Sequence, residues 1–175
     1  VIGTHWMNPP YLLPLVEVIP SARTSDEITK TVREFLVSVG KRPIVCKDTP
    51  GFLVNRMQTA LLVEAASIVE KGVASIEDVD MVWKYHLGPR YCHVGPLELM
   101  DMFGLETEFS QYSYIYETLA DSKFRPPDLL KQMVERNELG VKTGKGFYEY
   151  PAKRWQQPAS WSQQIATKFD PQLVV

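Results

Sequence analysis

Short apolar runs open the chain, and a stiff turn, Asn8-Pro9-Pro10, separates the first two of them. Runs of Val, Ile and Leu bounded by proline or glycine are typical of β-strands. We therefore predict strands over residues 1–5 and 12–19, and a third strand over residues 42–47.

A helix is predicted between the second and third strands. Thr24 followed by Glu27 matches a capping box, in which a hydroxyl and a carboxylate satisfy backbone N–H groups at a helix start. The apolar residues that follow share one helical face until Gly40 ends the helix: Ile28, Val32, Phe35 and Leu36. An order of strand, turn, strand, helix and strand ending at Asp48 suits the last part of a larger mixed sheet, because three strands alone leave open edges.

After Pro50 the pattern becomes helical, and its first segment is the most apolar. Residues 51–71 carry apolar side chains on several sides of the predicted helix: Leu53, Val54, Met57, Leu61, Leu62, Ala65, Ile68 and Val69. Such a helix is typical of a bundle centre or an interface. One small domain offers too little surface to cover it, so we predict that it forms a homodimer interface.

Four further helices are predicted from caps and periodicity. They are residues 75–85, opened by a second capping pattern, a short helix starting at Gly95-Pro96, and residues 106–121 and 127–137. A glycine-rich loop follows at 140–146, and beyond residue 151 the periodicity is lost. We predict a mainly α fold divided into residues 1–48, residues 49–150 and a carboxy-terminal arm over 151–175.

Composition narrows the classes of function. The 175 residues include 19 Lys and Arg against 21 Asp and Glu, a net charge of -2 that gives no field of one sign for attracting nucleic acid or an anionic membrane. Polar residues interrupt even the most apolar stretch, 52–69, which is therefore unsuited to a membrane span. Val1 is not an initiator Met and begins no signal peptide, so we expect a start within a longer protein.

The two cysteines, Cys46 and Cys92, form no CxxC motif and no Cys/His spacing typical of zinc. Neither a disulfide framework nor a metal site is expected, and a reducing cytoplasm fits best. His86 and His93 are seven positions apart around Gly88-Pro89, too irregular for a helical metal pair, and we interpret them as loop histidines.

His5, at the end of the first strand, and Glu17, near the end of the second, are the sharpest candidates for chemistry. Strand ends joined by a turn can bring such side chains together. A carboxylate beside an imidazole holds one tautomer and leaves the other nitrogen free as a general base or acid near neutral pH. On the residues alone, a surface position or a structural hydrogen bond is the commoner role for such a pair, and the spacing does not decide between them.

Asn55 is a polar residue near the start of the apolar helix. An Asn at a helix amino terminus can donate to a carbonyl or alkoxide. It can equally satisfy backbone groups of a neighbouring loop, and both interpretations stay open. The loop at 140–146 lacks the Ser or Thr after Lys145 that a nucleotide triphosphate site needs, and no GxGxxG dinucleotide motif occurs in the chain.

Four segments, in this order and spacing, resemble the 3-hydroxyacyl-CoA dehydrogenases. They are HWMNPPYLLPLVEVI at 5–19, DTPGFLVNRMQTALLVEAASIVEKGVASIEDVD at 48–80, GPLELMDMFGLET at 95–107 and GVKTGKGFYEY at 140–150. The resemblance implies the last strands of a Rossmann-type NAD-binding domain, most of which is missing, followed by a helical domain that dimerises.

The resemblance also implies roles for the three candidate residues. His5 takes the proton from the substrate 3-hydroxyl as hydride leaves for NAD, Glu17 orients and charges the imidazole, and Asn55 hydrogen-bonds the reacting oxygen. The family's catalytic Ser, its NAD loop and most CoA contacts lie upstream of Val1, so cofactor-binding residues are unknown here and this chain alone is expected to be inactive.

Two alternatives to an L-3-hydroxyacyl-CoA dehydrogenase remain. The segments HWMNPPYLLPLVEVIP and LGPRYCHVGPLE are similar to the lambda-crystallin and L-gulonate 3-dehydrogenase branch, or to carnitine dehydrogenase, which implies a small 3-hydroxy acid as substrate. A crystallin-like structural module that mainly dimerises is the other alternative, and the intact His, Glu and Asn trio disfavours it.

Overall fold

The computed structural model describes residues 1–151. Three strands, β1 (Ile2–Trp6), β2 (Leu15–Pro20) and β3 (Arg42–Val45), form one sheet with β2 in the centre. β1 pairs antiparallel with β2, and β3 pairs parallel with it. The parallel pairing requires a crossover, which α1 (Asp26–Ser38) supplies.

The remaining helices follow in chain order. They are α2 (Val54–Glu70), α3 (Ile76–Val82), α4 (Gly88–Tyr91), α5 (Pro96–Phe103), α6 (Leu105–Leu119) and α7 (Asp128–Glu135), and a π-helical turn, Trp83–Leu87, joins α3 to α4. Short 3-10 turns cover Ser122–Phe124 and Val141–Thr143. A small strand region followed by helices confirms the predicted mainly α fold class.

The chain divides into two compact units, Val1–Ile76 and Glu77–Val175, the second described as far as residue 151. The domain boundaries after residues 48 and 150 stay predictions. The predicted arm over 151–175 lies, apart from Pro151, outside the described residues. In residues 1–151, no helix has the length and apolar character needed to cross a membrane.

Each unit has its own core. In the first, Val16 and Val18 of β2 pack against Leu36 of α1, and all three are fully buried. Alternation along β2 puts Glu17 on the opposite face of the sheet from these two valines. In the second, Leu105, Leu130 and Met133 form the buried cluster.

Two predicted helix starts are wrong, each for a local reason. Ser25, not Thr24, caps α1: its backbone is extended and its side chain accepts a hydrogen bond from the Ile28 N–H, whereas the Thr24 hydroxyl donates to the Val1 carbonyl. α2 starts at Val54 rather than residue 51, because Gly51 and Phe52 have positive φ angles of 77° and 45°.

The interpretation of His86 as a loop histidine is also wrong. His86 lies within the π-helical turn that continues α3, while His93 follows α4 in a turn. Pro89 sits in the first turn of α4, where a missing N–H costs no helical hydrogen bond, so the Gly88-Pro89 pair continues the helical path instead of ending it.

Candidate active site

The strand register brings His5 and Glu17 face to face. They are directly opposite each other in the β1–β2 ladder, so their side chains leave the same face of the sheet. Nδ1 of His5 lies 2.5 Å from Oε2 of Glu17. Two residues that are twelve positions apart in sequence therefore form a direct side-chain hydrogen bond, because the intervening turn sets this register.

Glu17 is a fully buried carboxylate whose other oxygen is held by the start of α2. Oε1 accepts hydrogen bonds from the backbone N–H groups of Leu53, at 2.8 Å, and Val54, at 2.9 Å. The Cys46 thiol is a weaker donor to the same oxygen, with Sγ at 3.8 Å. Burying a carboxylate is costly unless its oxygens are hydrogen-bonded, and here both oxygens are.

Electrostatics keep this carboxylate ionised. Burial by itself raises the pKa of Glu17, but the hydrogen bond with His5 and those from the N–H groups of Val54 and Leu53 outweigh it, so the pKa is lowered overall. Burial, and then the negative charge of Glu17, raise the pKa of the Cys46 thiol, which therefore stays a neutral donor. Because the Glu17 carboxylate beside Nδ1 can only accept a hydrogen bond, neutral His5 carries its proton on Nδ1. Nε2 is then left with a free lone pair.

His5 borders an open cleft of about 410 Å³. Its side chain is 29% exposed, in contrast to that of Glu17, which is fully buried. Among residues 1–151, nothing hydrogen-bonds to Nε2. Other residues around the cleft include Gly3, Thr4, Trp6, Asp48 and Phe52. The pair thus combines a buried carboxylate, that of Glu17, with an imidazole that a small molecule can reach.

The turn before α2 contributes residues that the sequence analysis missed. The ring centroids of Phe52 and His5 are 5.7 Å apart, with their planes tilted by 49°. The next two residues, Leu53 and Val54, supply the amides that bind Glu17. Pro50-Gly51 ahead of an apolar run signals a turn before a helix, but nothing in the sequence indicates that its amides meet a carboxylate 36 positions earlier.

Asn55 is the second residue of α2 and is exposed. It follows Val54, whose amide binds Glu17, so its backbone is anchored beside the pair. Its side chain has no hydrogen-bond partner within residues 1–151. The alternative in which Asn55 satisfies backbone groups of a neighbouring loop is therefore not observed in this part of the chain.

The glycine-rich loop of the second unit encloses a side chain of the protein itself. Asp101, 1% exposed, accepts hydrogen bonds from the N–H groups of Phe147 and Tyr148 and from the Tyr150 hydroxyl, each at 2.9 Å. A Cβ on Gly146 would lie 2.0 Å from Oδ1 of Asp101. The loop thus fits closely around a carboxylate and leaves no space for a phosphate.

A dinucleotide site and a metal site each require a particular arrangement of residues. Within residues 1–151, no glycine-rich strand-to-helix turn forms a pyrophosphate cradle, so the residues described here do not by themselves fit a dinucleotide. The same residues contain no group of three His, Cys, Asp or Glu side chains placed to hold a metal ion. Cys46 and Cys92 are both free thiols.

Comparison with known proteins gives matches over the whole described region. Residues 1–49 match the family model "3-hydroxyacyl-CoA dehydrogenase, NAD binding domain", and residues 51–150 match "3-hydroxyacyl-CoA dehydrogenase, C-terminal domain". The chain is 44% identical over 149 residues to a probable 3-hydroxybutyryl-CoA dehydrogenase of Deinococcus radiodurans, covering 85% of this chain and 52% of that protein.

Two further matches are a curated relative and a solved structure. A 5-formyl-3-hydroxy-2-methylpyridine 4-carboxylate 5-dehydrogenase of Mesorhizobium japonicum is 36% identical over 151 residues, or 86% of this chain and 48% of that protein. The crystal structure of a 3-hydroxyacyl-CoA dehydrogenase from Archaeoglobus fulgidus superposes with a TM-score of 0.83 at 40% identity, over 95% of this chain and 57% of that one. The chain spans about half the length of the curated relatives it matches.

Proposed function

The chain belongs to the 3-hydroxyacyl-CoA dehydrogenase family, and we propose that it supplies the proton-transfer part of an NAD-dependent dehydrogenase that oxidises an L-3-hydroxyacyl-CoA to the 3-oxoacyl-CoA. The observation that carries this proposal is the His5–Glu17 pair: a buried carboxylate, held anionic, bonded to an imidazole at an open cleft. Proton transfer by a positioned imidazole contributes typically about 10²–10⁴-fold in rate.

In the proposed reaction, Nε2 of His5 removes the proton from the substrate 3-hydroxyl. When bound in the intact enzyme, NAD would supply the hydride acceptor, so the alcohol would lose a proton to His5 and a hydride to the cofactor and become a ketone. The imidazolium that forms lies 2.5 Å from the buried Glu17 carboxylate, which stabilises its positive charge. In the reverse direction, His5 returns the proton to the oxygen.

Asn55 is proposed to hydrogen-bond the reacting oxygen region of the substrate. Its exposed side chain has unused donors, and the backbone N–H of Val54 beside it donates a hydrogen bond to Glu17. An amide donor aimed at a developing oxyanion lowers the barrier because it needs no reorientation during the reaction.

We also propose that the protein is a cytoplasmic homodimer that binds neither nucleic acid nor membrane. Apolar side chains along α2 support the dimer: Met57, Leu62 and Val63 are each more than half exposed. Covering such residues is a usual function of a subunit interface. A solution mass equal to one chain at every concentration would contradict the dimer.

A small 3-hydroxy acid, of the L-gulonate or carnitine type, is the second candidate substrate. Its support is the relative from Mesorhizobium japonicum, whose name gives a pyridine carboxylate rather than a thioester as substrate. The same His5–Glu17 chemistry serves both candidates, because an L-3-hydroxyacyl-CoA and a 3-hydroxy acid each present a 3-hydroxyl whose proton must be removed.

The test is NADH oxidation by the intact protein, including any region upstream of Val1, with acetoacetyl-CoA, dehydrocarnitine and 3-dehydro-L-gulonate as oxidants. Turnover of acetoacetyl-CoA supports the thioester proposal, and turnover of the small acids alone supports the second candidate. His5→Ala should lower kcat by about 10²-fold or more, with NADH affinity nearly unchanged. Inactivity on all three substrates would favour a structural dimerisation module instead.

A further inference from the structure

The chain enters α2 through two consecutive residues with left-handed backbone angles, Gly51 at φ 77° and Phe52 at φ 45°. Glycine adopts such angles freely, whereas an aromatic residue is strained there. Strained residues persist when their surroundings hold them in place, and they concentrate at functional sites. The left-handed conformation of Phe52 therefore requires contacts, beyond the turn itself, that hold this residue in place.

Phe52 has two contacts that explain its position. Its ring stands against the imidazole of His5, at 5.7 Å between centroids. Its backbone directs the next two amides, of Leu53 and Val54, onto a single oxygen of Glu17. One residue thus touches the imidazole with its side chain and fixes the carboxylate through the backbone that follows it.

We propose that Phe52 is a positioning residue for the His5–Glu17 pair. Its ring limits rotation of the imidazole, so that Nδ1 stays on Glu17 and Nε2 stays directed at the cleft. The left-handed turn at Gly51 and Phe52 keeps the Glu17 carboxylate in place on the other side of the hydrogen bond. The kinetic part of this inference rests on the proposed dehydrogenase function, and the geometric part does not.

The geometric part is tested by NMR of His5 in the 175-residue chain. The proton on Nδ1, in a hydrogen bond of 2.5 Å to a buried carboxylate, should give a slowly exchanging, far-downfield signal. Phe52→Leu should broaden or abolish this signal, and Phe52→Tyr, which keeps an aromatic ring, should retain it. Phe35→Leu is the matched control, because Phe35 is 60% exposed on α1 and should leave the signal unchanged.

The backbone contribution is tested with two glycines of similar conformation. Gly51→Ala and Gly72→Ala both put a methyl group at a positive φ, 77° and 66°, with open space or ordinary contacts around it. Both variants should be destabilised to a similar degree, but only Gly51→Ala should shift the Nδ1–H signal of His5. An unchanged signal in both Gly51→Ala and Phe52→Leu would overturn the proposal.

The kinetic part is tested in the intact enzyme with the substrate that it turns over. Phe52→Leu should lower kcat by about 10-fold to 100-fold while KM stays unchanged, because a slightly misplaced base affects the transition state more than binding. Phe52→Tyr should restore most of kcat. A wild-type kcat in Phe52→Leu would overturn the proposal, whereas an inactive wild-type enzyme would contradict the proposed function and leave the NMR result to decide this inference.

Discussion

Glu17 and Asp101, one in each compact unit, are both buried carboxylates, with exposures of 0% and 1%. Each accepts two backbone N–H bonds from a segment distant in sequence, and each has one side-chain partner at 2.9 Å or less, to which Glu17 adds the weaker Cys46 thiol. For Glu17 that side chain is the imidazole of His5, which borders a cleft, and for Asp101 it is the Tyr150 hydroxyl.

The two carboxylates are equally buried and differ in the side chain to which each is hydrogen-bonded. Burial and the hydrogen bond to Asp101 raise the pKa of Tyr150 above that of an ordinary tyrosine, so this phenol does not exchange protons near neutral pH. The imidazole of His5, in contrast, keeps an unprotonated nitrogen and borders an open cleft. A buried, fully hydrogen-bonded carboxylate can therefore serve chemistry only where one of its partners is a base that a small molecule can reach.

The largest effect should come from filling the space around Asp101. Gly146→Ala puts a Cβ 2.0 Å from Oδ1 of Asp101 and 2.7 Å from the Cα of Gly140, where no side-chain movement can relieve the overlap. We expect a loss of about 4 kcal/mol or more in the free energy of unfolding, as for a severe clash in a packed core. Urea unfolding of the chain measures it.

Gly144→Ala is the matched control in the same loop. Its φ of 79° strains an alanine, but the nearest atom to the added Cβ is the Tyr150 carbonyl oxygen at 3.4 Å. The expected loss is about 1–2 kcal/mol, from the backbone conformation alone. Equal losses for the two variants would mean that the loop does not close tightly around Asp101.

The next largest effects are expected when each of the two carboxylates is replaced by the corresponding amide. Glu17→Gln can keep its carbonyl on the amides of Leu53 and Val54 and donate from its NH₂ to Nδ1 of His5, which moves the imidazole proton to Nε2 and removes the base. We expect kcat of the intact enzyme to fall about 10²-fold or more with little loss of stability.

Asp101→Asn should give the opposite result. Either orientation of the amide directs its NH₂ at a backbone N–H donor, of Phe147 or of Tyr148, so one partly buried donor loses its acceptor. We expect a loss of about 1–3 kcal/mol in the free energy of unfolding and an unchanged kcat per folded molecule. If Asp101→Asn instead lowered kcat as much as Glu17→Gln does, the distinction between the two carboxylates would be wrong.

The fold could be predicted from the sequence to the extent that its elements follow local patterns. Apolar runs and proline punctuation indicated the three strands, and periodicity indicated the five longer helices after residue 50. The errors lie where conformation depends on a single residue. The Gly51–Phe52 pair delays α2 by three residues, and the extended backbone of Ser25 makes it, and not Thr24, the cap of α1.

The sequence indicated candidate residues of the site but not the contacts between them. His5 and Glu17 were identifiable as candidates, but their contact depends on the β1–β2 register, which the spacing did not determine. The amides of Leu53 and Val54 reach Glu17 across 36 and 37 positions, and those of Phe147 and Tyr148, which follow the glycine-rich loop, reach Asp101 across 46 and 47. Contacts of such separation are products of packing, and no local pattern in the sequence encodes them.

The smallest effect concerns Glu138, a carboxylate at the edge of the glycine-rich loop. It pairs with Arg136 at 2.8 Å and with Lys145 of the loop at 2.7 Å. The hydrogen bonds from these two cations lower its pKa from 4.5 to about 2. A group whose pKa is lower in the folded state stabilises the protein above its unfolded pKa, and that contribution is lost as the pH falls through the folded value.

The difference in unfolding free energy between the wild-type chain and Glu138→Gln should therefore be constant above about pH 5 and should shrink towards zero near pH 2. Because solvent reaches both cations, the difference should be smaller than that for Asp101→Asn and should decrease with added salt. Urea unfolding at several pH values measures it. If the difference in unfolding free energy persisted unchanged at pH 2, the charge of Glu138 would not be what stabilises the loop. Glu138 would then stabilise it through contacts that do not depend on ionisation.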